Sequence, residues 1–410
     1  MYKQLRSDAD AIIDRSLQKV MPDEAVSRAL AHFQPSGGKT VFVSVGKAAW
    51  RMAKAAADTL GRPDAGIVIT KYDHVQGDIP GIVCREAGHP IPDENGFRAT
   101  KEALQLVQDL SEKDTVIFLL SGGGSALFEK PLIPGEELQD ITKQLMACGA
   151  DIVEINTIRK RLSAVKGGRF ALACAPARVF SIVLSDILGD PLDMIASGPA
   201  CPDSANCKDA LEIADKYSLR LSEEAKKLLR QETPKELNNV ETFITGSVRE
   251  LCQAAAGRCE ELGYKPAILT DQLCCEAKEA GTFLAAILKT HANDGEKLAF
   301  IAGGETVVHL HGSGMGGRNQ ELALSAAVGI AGLKNVCLFS VGSDGTDGPT
   351  DAAGGYVDGQ SSKKLKEAGL SVHEILSDND SYHALRQIGG LIKTGPTGTN
   401  VNDIAVGLIG

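Results

Sequence analysis

The feature that most constrains the fold is a regular alternation of short, apolar, β-rich runs with longer amphipathic runs. Residues 40–46 read TVFVSVG, and a helical pattern, KAAWRMAKAAADTL, follows directly. Strands that are apolar throughout are buried on both faces, and strands that alternate with helices form parallel sheets. The first forty residues contain two helical patterns instead, which are typical of a packing arm.

A polar stretch divides this alternation into two parts. The segment SLRLSEEAKKLLRQETPKELNNVE interrupts the pattern near Pro234, after which strands and helices resume. At about 150 residues per domain, a chain of 410 residues contains two or three domains. We therefore predict an α/β fold of two domains with mainly parallel sheets around an interdomain cleft. The N-terminal Rossmann-like domain is predicted at 1–236 and a second α/β domain at 237–410.

Charge and composition exclude several classes of protein. With a net charge of −10 and 4% aromatic residues, the chain lacks the basic, aromatic surface that nucleic acids require. No apolar run reaches the about 18 residues of a membrane span, and the start, MYKQLRSDADAIID, has no apolar signal region. The ten cysteines show no zinc-type spacing. We expect a cytoplasmic protein with reduced thiols and no membrane or nucleic-acid partner.

Glycine is in excess, and most of the excess lies where a strand ends and a helix begins. Ligands bind at this edge in open α/β sheets. Gly46 and Lys47 close the first strand, where helix-start amides and an ammonium can attract an anion; a solvated lysine is the alternative. The next such loop can fold its amides into an anion-binding nest, or form a tight structural turn. Its residues are Ser121, Gly122, Gly123, Gly124 and Ser125.

A short segment concentrates positive charge on this otherwise acidic chain. Five Lys and Arg side chains fall within the eleven residues 159–169, among them Arg159 and Lys166. Recognition of an anionic substrate requires such a local concentration of cations. We therefore predict that Arg159 and Lys166 bind substrate or phosphate.

Carboxylates follow the strand-like run RVFSIVL. Asp186 and Asp190 lie four residues apart, where they can hold Mg²⁺ together with phosphate oxygens, or where one can act as a base. Turn and N-cap roles are the alternative for both residues. Glu305 and Asp344 follow strand-like runs in the second half and are further candidate metal ligands.

Residues 312–317 match the dinucleotide-binding pattern G-x-G-x-x-G, with glycines at 312, 314 and 317. A dinucleotide site also needs an acidic residue about 20 residues later, on the next strand. The next strand-like run, NVCLFSV, contains none. Arg318 is therefore better interpreted as an anion contact, because its planar fork suits carboxylate or phosphate.

Several of these stretches together resemble one known family. They include SVGKAAWRMAKA, LLSGGGSAL, INTIRKRLSAVKGGRFA, VLSDILGDPLDMIASGP, IAGGETVVHLHGSGMGGRNQELAL and TGPTGTNVNDIAVGL, and they cover nearly the whole chain from residue 44. The sequence resembles the class II glycerate kinases, whose C-terminal portion is called the MOFRL domain. The resemblance implies phosphorylation of D-glycerate to 2-phosphoglycerate by ATP, with a divalent cation. Some family members carry the older label hydroxypyruvate reductase, an NAD(P)H-dependent activity that is the alternative function.

The residues and the resemblance together give a hypothesis for each role. Lys47 and Arg318 contact the substrate or the transferring phosphoryl group, and Asp190 is the first candidate for the base. Thr397 and Asn400 lie in KTGPTGTNVND, which either binds substrate oxygens or forms a structural turn. The predicted binding set is Gly46, Ser121, Gly122, Gly123, Gly124, Ser125, Arg159, Lys166, Asn319, Thr397 and Asn400. The predicted metal set is Asp186, Asp190, Glu305 and Asp344, with ATP and Mg²⁺ as cofactors and a monomer or homodimer as the working form.

Overall fold

The chain divides into two units in the computed structural model, which describes residues 2–410. The N-terminal unit is Pro22–Thr245, and the C-terminal unit combines the residues up to Met21 with Gly246–Gly410. This division differs from the predicted 1–236 and 237–410 in two places. The polar stretch near Pro234 belongs to the N-terminal unit, because Thr233 Oγ1 donates to Oδ2 of the buried Asp203 at 2.6 Å.

The first helix, α1 (Tyr2–Lys19), belongs to the C-terminal unit. Tyr264 donates its hydroxyl proton to Asp8 Oδ2 at 2.7 Å, and both side chains are buried. The buried Leu5 lies against Gly410, the last residue of the chain. Of the two helices predicted at the start of the sequence, only the first therefore packs on the C-terminal unit, because the second, Pro22–Leu30, belongs to the N-terminal unit.

The N-terminal sheet has the strand order β3-β2-β1-β4-β5-β6. The pairs β1–β2, β1–β4, β2–β3 and β4–β5 are all parallel, as the sequence predicted. The strands are β1 (Thr40–Val45), β2 (Ala65–Lys71), β3 (Val83–Ala87), β4 (Thr115–Leu120), β5 (Arg178–Leu184) and β6 (Val240–Gly246).

Both faces of the central strands β1, β4 and β5 are buried, which explains why these strands are almost entirely apolar, whereas the edge strands β3 and β6 carry charged residues. Val43 joins one apolar cluster with Phe118, whereas the neighbouring Phe42 joins a second cluster with Met52 and Phe180. The helices of the unit are α2 (Pro22–Leu30), α3 (Ala49–Leu60), α4 (Glu94–Leu106), α5 (Gly124–Leu127), α6 (Gly135–Ala147), α7 (Ile152–Arg161), α8 (Arg169–Cys174), α9 (Cys207–Lys216) and α10 (Glu223–Leu229).

The C-terminal sheet has the order β11-β10-β9-β12-β8-β7. Its strands are β7 (Lys265–Leu273), β8 (Leu298–Gly304), β9 (Val336–Gly342), β10 (Gly354–Asp358), β11 (Leu391–Ile392) and β12 (Asp403–Ile409). β7, β8, β9 and β11 run in one direction, but β10 and β12 are interleaved in the opposite direction. The α/β class is confirmed, while parallel pairing in this sheet is limited to β7 and β8, because the last strand enters the centre antiparallel to both neighbours.

Helices cover the C-terminal sheet, and one of them positions the site described below. They are α11 (Val248–Glu261), α12 (Ala277–His291), α13 (Arg318–Gly329), α14 (Ser361–Glu367), α15 (Val372–Ser377) and α16 (Ser381–Ile388). Leu322 and Leu324 of α13 are buried in the apolar core of this unit. Across the described residues, no helix is long and apolar enough to span a membrane.

Candidate active site

Three loops leave one edge of the N-terminal sheet side by side. Val45 is opposite Leu120 where β1 and β4 end, and Leu120 is opposite Val183 near the end of β5. The loops after β4 and β5 approach each other closely, since a Cβ on Gly122 would lie 2.1 Å from Oδ2 of Asp186. The fold therefore gathers the predicted lysine, glycine and aspartate loops at one edge.

Lys47, in the first of these loops, presents an ammonium that makes no hydrogen bond or ion pair with any of residues 2–410. The backbone amides around it are occupied. The amide of Gly46 donates to Ile69 O at 3.1 Å, and that of Ala48 donates to Ser121 Oγ at 3.1 Å. These two amides are therefore used by the fold, and the Lys47 ammonium stays available to a ligand.

The glycine loop, residues 121–125, offers free backbone donors instead. In the part of the chain that the structure describes, the amides of residues 122–125 donate to no protein acceptor. Gly123 has a φ of +87°, a left-handed conformation that favours glycine and helps successive amides to converge on an anion. The buried Ser121 is bonded to the Lys47 loop, so it fixes the glycine loop. The predicted anion nest thus has its donors in place.

Lys166 holds the glycine loop from inside the protein. Its side chain is fully buried, and Nζ donates to the carbonyl oxygens of Ser125 at 2.9 Å, Phe128 at 3.1 Å and Ala196 at 3.4 Å. Burial lowers the pKa of Lys166 to about 8, although the nearby Glu129 carboxylate acts in the opposite direction. Because all three donors are used by the protein, the prediction that Lys166 binds substrate is contradicted.

The other cations of segment 159–169 are also paired within the unit. Arg159 Nη2 donates to Ser125 O at 2.9 Å and lies 3.5 Å from Glu129 Oε2. Lys160 and Arg161 form ion pairs with the buried Asp203, at 3.0 and 3.4 Å. Arg169 donates to three backbone carbonyl oxygens. The charge of this segment neutralises buried carboxylates and supports the glycine loop, and a direct role of Arg159 in substrate binding stays a prediction.

A strained turn that the sequence did not indicate packs on the glycine loop. Ala196 and Ser197 have φ values of +51° and +62°, which a side chain rarely adopts. A Cβ on Gly124 would lie 2.6 Å from Cβ of Ala196. Ser197 Oγ donates to Asn156 Oδ1 at 2.8 Å and lies 3.4 Å from Ser125 Oγ. Strain of this kind persists only where the surroundings enforce it, and it is concentrated at functional sites.

Asp190, in the loop after β5, has a carboxylate oxygen without a hydrogen-bond partner among residues 2–410. This oxygen, Oδ1, is buried. Over the same residues, no three His, Cys, Asp or Glu side chains form a group that could hold a metal ion. A divalent cation beside Asp186 and Asp190 therefore needs water and phosphate oxygens as additional ligands, which is how proteins usually bind Mg²⁺.

In the C-terminal unit, two carboxylates hold Arg318 at the start of α13. Its Nε and Nη2 donate to Oδ2 and Oδ1 of Asp403 at 2.5 and 3.1 Å, and Nη1 donates to Glu305 Oε1 at 2.8 Å. Burial raises the pKa of Asp403 to about 6, while the guanidinium acts to lower it. Glu305 also accepts from Asn402 at 3.0 Å. Both its oxygens thus accept hydrogen bonds, and a role of Glu305 as a metal ligand stays a prediction.

Asp347 occupies the N-terminus of α13. Its buried carboxylate accepts the backbone amides of Asn319 at 3.2 Å and Gln320 at 2.9 Å. Burial raises the pKa of Asp347, and these donors oppose the shift. A Cβ on Gly317 would lie 2.3 Å from Asp347 Cγ. A pyrophosphate binds at this helix end in a dinucleotide site, so the protein's own carboxylate fills that position.

The glycine-rich loop before α13 is bound by its own chain as well. Its amides at 311 and 312 donate to Asn379 Oδ1, that of Ser313 to Asp378 Oδ1, and that of Met315 to Asp380 Oδ1. The glycines therefore allow the backbone to approach residues 378–381, and the resemblance to a dinucleotide fingerprint has this structural cause.

The remaining predicted residues of this unit are engaged within the fold. Asn319 is buried, and its amide group bonds both Ser340 and Asp347. Thr397 Oγ1 donates to the carbonyl oxygen of Ser343 at 2.6 Å. Asn400 Oδ1 accepts from the amide of Asn402 at 3.3 Å, and Asp344 Oδ1 accepts from the amide of Thr346 at 3.0 Å. Asn319 thus orders the carboxylates near Arg318, and the Asp344 contact is that of a local turn.

The fold and these strand-end groups define a two-domain α/β protein whose ammonium and free amides suit an anionic small molecule. Residues 8–230 match the family described as "Domain of unknown function (DUF4147)", and residues 298–403 match the MOFRL family. The chain therefore belongs to the glycerate kinases of the MOFRL family, as the following relatives also show.

Relatives match along almost the whole chain. D-glycerate 2-kinase of Thermotoga maritima is 52% identical over 99% of this chain and 98% of its own. A protein named putative hydroxypyruvate reductase, from Agrobacterium vitis, is 39% identical over 91% of this chain and 88% of its own. The crystal structure of glycerate kinase from Thermotoga maritima superposes with a TM-score of 0.95 at 51% identity, with complete coverage of both chains.

Proposed function

We propose that this chain transfers the γ-phosphoryl group of ATP to D-glycerate and forms 2-phosphoglycerate. One observation carries the proposal: among residues 2–410, adjacent loops hold an unpaired ammonium on Lys47, four free amides at residues 122–125 and an unpartnered carboxylate oxygen on Asp190. Phosphoryl transfer asks a protein mainly to position the reactants and to neutralise charge on the transferring group. Kinship with a D-glycerate 2-kinase supports this choice of substrate.

The amides and the two cationic side chains bind different parts of the substrates. The amides of residues 122–125 bind phosphate oxygens of ATP, and Lys47 neutralises charge that develops on the transferring phosphoryl group. Arg318, in the C-terminal unit, is assigned to an anionic group of the substrates, since its planar fork suits carboxylate or phosphate. Its guanidinium has five N–H donors, of which Asp403 and Glu305 take three, so that two remain for a carboxylate.

Asp190 accepts the proton of the glycerate 2-hydroxyl as that oxygen forms its bond to the γ-phosphorus. The bond from the γ-phosphorus to the bridging oxygen breaks, and ADP leaves. Oδ1 of Asp190 has no hydrogen-bond partner among the described residues, which supports this role, since a base needs an oxygen that is not already bonded. Asp186 and Asp190 also fit Mg²⁺, which takes oxygen ligands and, when bound with ATP, offsets the charge of the phosphate oxygens. We assign Asp186, beside Gly122, as its protein ligand.

We place the reaction in the cytoplasm. All ten cysteines are free thiols, which is typical of a reducing compartment.

NAD(P)H-dependent hydroxypyruvate reduction is the competing activity, since a relative carries that name. It requires a dinucleotide site, and the carboxylate of Asp347 at the start of α13 speaks against one at residues 312–317. Two parallel assays test the proposal: release of ADP with D-glycerate, ATP and Mg²⁺, and oxidation of NADH with hydroxypyruvate. We expect the first to respond. A response of the second assay alone would refute the proposal.

A further inference from the structure

A cavity in the N-terminal unit lies beside the loops assigned above. It has a volume of about 720 Å³ and is formed by the end of β2, the loop after β3 and the first turns of α4 and α6. Cavities of this order enclose ligands of drug size, whereas glycerate has only three carbon atoms. The volume therefore suits a larger group than the phosphoryl acceptor.

Two side chains give this cavity a firm apolar surface. Ile91 and Tyr72 remain 65% and 45% exposed. The Tyr72 hydroxyl donates to Asp93 Oδ2 at 2.5 Å and accepts from Asn95 Nδ2 at 2.7 Å, so its ring is held in place. An exposed apolar surface that is already ordered binds a flat ring at little entropic cost.

The charge of the lining selects against an anion. Carboxylates of Asp93, Glu94 and Glu136 line the cavity, and its lining residues include no Lys or Arg. Within the described chain, Glu94 and Glu136 make no hydrogen bond or ion pair. Phosphate or glycerate would be repelled here, whereas a neutral ring with N–H donors would find free acceptors.

One lining residue of the cavity, His89, lies beside the glycine loop. A Cβ on Gly123 would lie 3.1 Å from His89 Nε2 and 3.3 Å from Lys47 Cε. Burial, together with the charges of Lys47 and Lys71, lowers the pKa of His89 and so favours the neutral imidazole. A ligand with an anionic end and a neutral end is therefore matched by the glycine loop at its anionic end and by the cavity at its neutral end.

We propose that this cavity binds the adenine ring of ATP, with the exocyclic amino group donating to Glu94 or Glu136 and the phosphates extending to residues 122–125. This inference rests on the proposed function, because that function makes ATP the donor. It adds the part of the protein that recognises the adenine base of the phosphoryl donor.

Binding measurements with and without a base test the inference directly. Isothermal titration of the whole protein with MgADP and with magnesium tripolyphosphate separates contacts to the base from contacts to the phosphates. Ile91→Ala should raise the Kd of ADP about tenfold and the KM of ATP by a similar factor, through lost apolar contact. The Kd of tripolyphosphate should stay within about twofold, a change of less than half a kcal/mol.

Leu172→Ala is the matched control, because Leu172 is 56% exposed on the same unit and does not line the cavity. It should leave both Kd values unchanged. The double variant Glu94→Gln/Glu136→Gln tests base selection, since ITP carries a carbonyl where ATP carries the amino group. Preference for ATP over ITP should be about tenfold in the parent, the worth of one hydrogen bond to a charged group, and should largely disappear in the variant.

The outcomes separate this inference from the proposed function. If Ile91→Ala leaves the Kd of ADP within about twofold, or weakens tripolyphosphate equally, the adenine cavity is refuted even when glycerate is phosphorylated. If glycerate is not phosphorylated but Ile91→Ala still weakens ADP selectively, the proposed function fails and the cavity stands as a nucleotide site. Retention of the parent's circular dichroism spectrum and unfolding midpoint shows that each variant has folded.

Discussion

Arg318 and Asp403 form a two-point ion pair in which Nε and Nη2 of the guanidinium donate to both carboxylate oxygens, at 2.5 and 3.1 Å. Asp403 is the first residue of β12, and Arg318 is the first residue of α13. The pair therefore joins a central strand to the start of a helix and fixes the direction of the guanidinium. We regard Asp403 as the residue that positions Arg318 for substrate.

The first prediction concerns pH. Because the pKa of Asp403 is raised to about 6, its carboxylate takes up a proton as the pH falls through that value and can no longer accept both bonds. We expect kcat/KM to decrease on the acidic side of about pH 6. Asp403→Asn should abolish this acidic decrease, the acidic limb of the pH profile, and should lower kcat/KM above about pH 6 by about 100-fold. Asp351→Asn, which removes a carboxylate paired with Lys393, should keep the limb. A limb that persists in Asp403→Asn would contradict this role.

The second prediction concerns Lys47. Its ammonium has no protein partner among residues 2–410, so its removal should affect catalysis much more than folding. Lys47→Ala should reduce kcat/KM by about two orders of magnitude, and the free energy of unfolding should change by less than about 0.5 kcal/mol. Lys101→Ala, at an exposed lysine of the same unit, should change neither quantity. Activity within about tenfold of the parent would exclude Lys47 from the transition state.

The third prediction concerns Lys166 and Glu129, whose charged atoms lie 3.7 Å apart in the core. Lys166→Met removes the ammonium beside the buried Glu129 and leaves the carbonyl oxygens of Phe128 and Ala196 without this donor, and it should lower the free energy of unfolding by about 3–5 kcal/mol. Adding Glu129→Gln should recover about 1–2 kcal/mol, because the buried charge is removed. Urea unfolding of the single and double variants measures both effects. No recovery in the double variant would show that the two side chains do not interact energetically.

The fourth prediction compares two glycines with left-handed backbones. Gly123 and Gly149 have φ values of +87° and +74°, so Ala should cost each about 1–2 kcal/mol of stability. Nothing lies within 4 Å of a Cβ on Gly149, whereas one on Gly123 would lie 3.0 Å from the His89 ring. Gly123→Ala should therefore raise the KM of ATP by about tenfold or more, and Gly149→Ala should not. Equal KM values in the two variants would remove the glycine loop from the ATP site.

Most of the fold could be predicted from hydrophobic pattern, because a strand buried on both faces is apolar throughout and is easily recognised. This is how β1 and β4 predicted a parallel N-terminal sheet. The direction of β12 could not be predicted, since NDIAVGLIG has the same pattern read either way. The placement of α1 was also hidden, because its amphipathic face does not identify the unit that covers it.

Within the candidate site, the sequence predicted which loops lie close together, because the strand that a loop follows sets the loop's position at the edge of the sheet. The loops of Lys47, Gly122 and Asp186 meet at one edge for this reason. Charge alone gave a wrong prediction of substrate binding for Lys166, because a sequence does not show that this lysine is buried against carbonyl oxygens 30 to 41 residues away. Asp403 went unnoticed because Arg318, its partner, is 85 residues distant.

The most direct test of the central proposal is phosphorus-31 NMR of the product formed from D-glycerate, ATP and Mg²⁺. A phosphate on the second carbon couples to a single proton, so we predict ADP together with a phosphomonoester signal split into a doublet. A triplet would place the phosphate on the methylene carbon and contradict transfer to the 2-hydroxyl. Absence of any phosphomonoester, with NADH consumed on hydroxypyruvate, would contradict the kinase assignment itself.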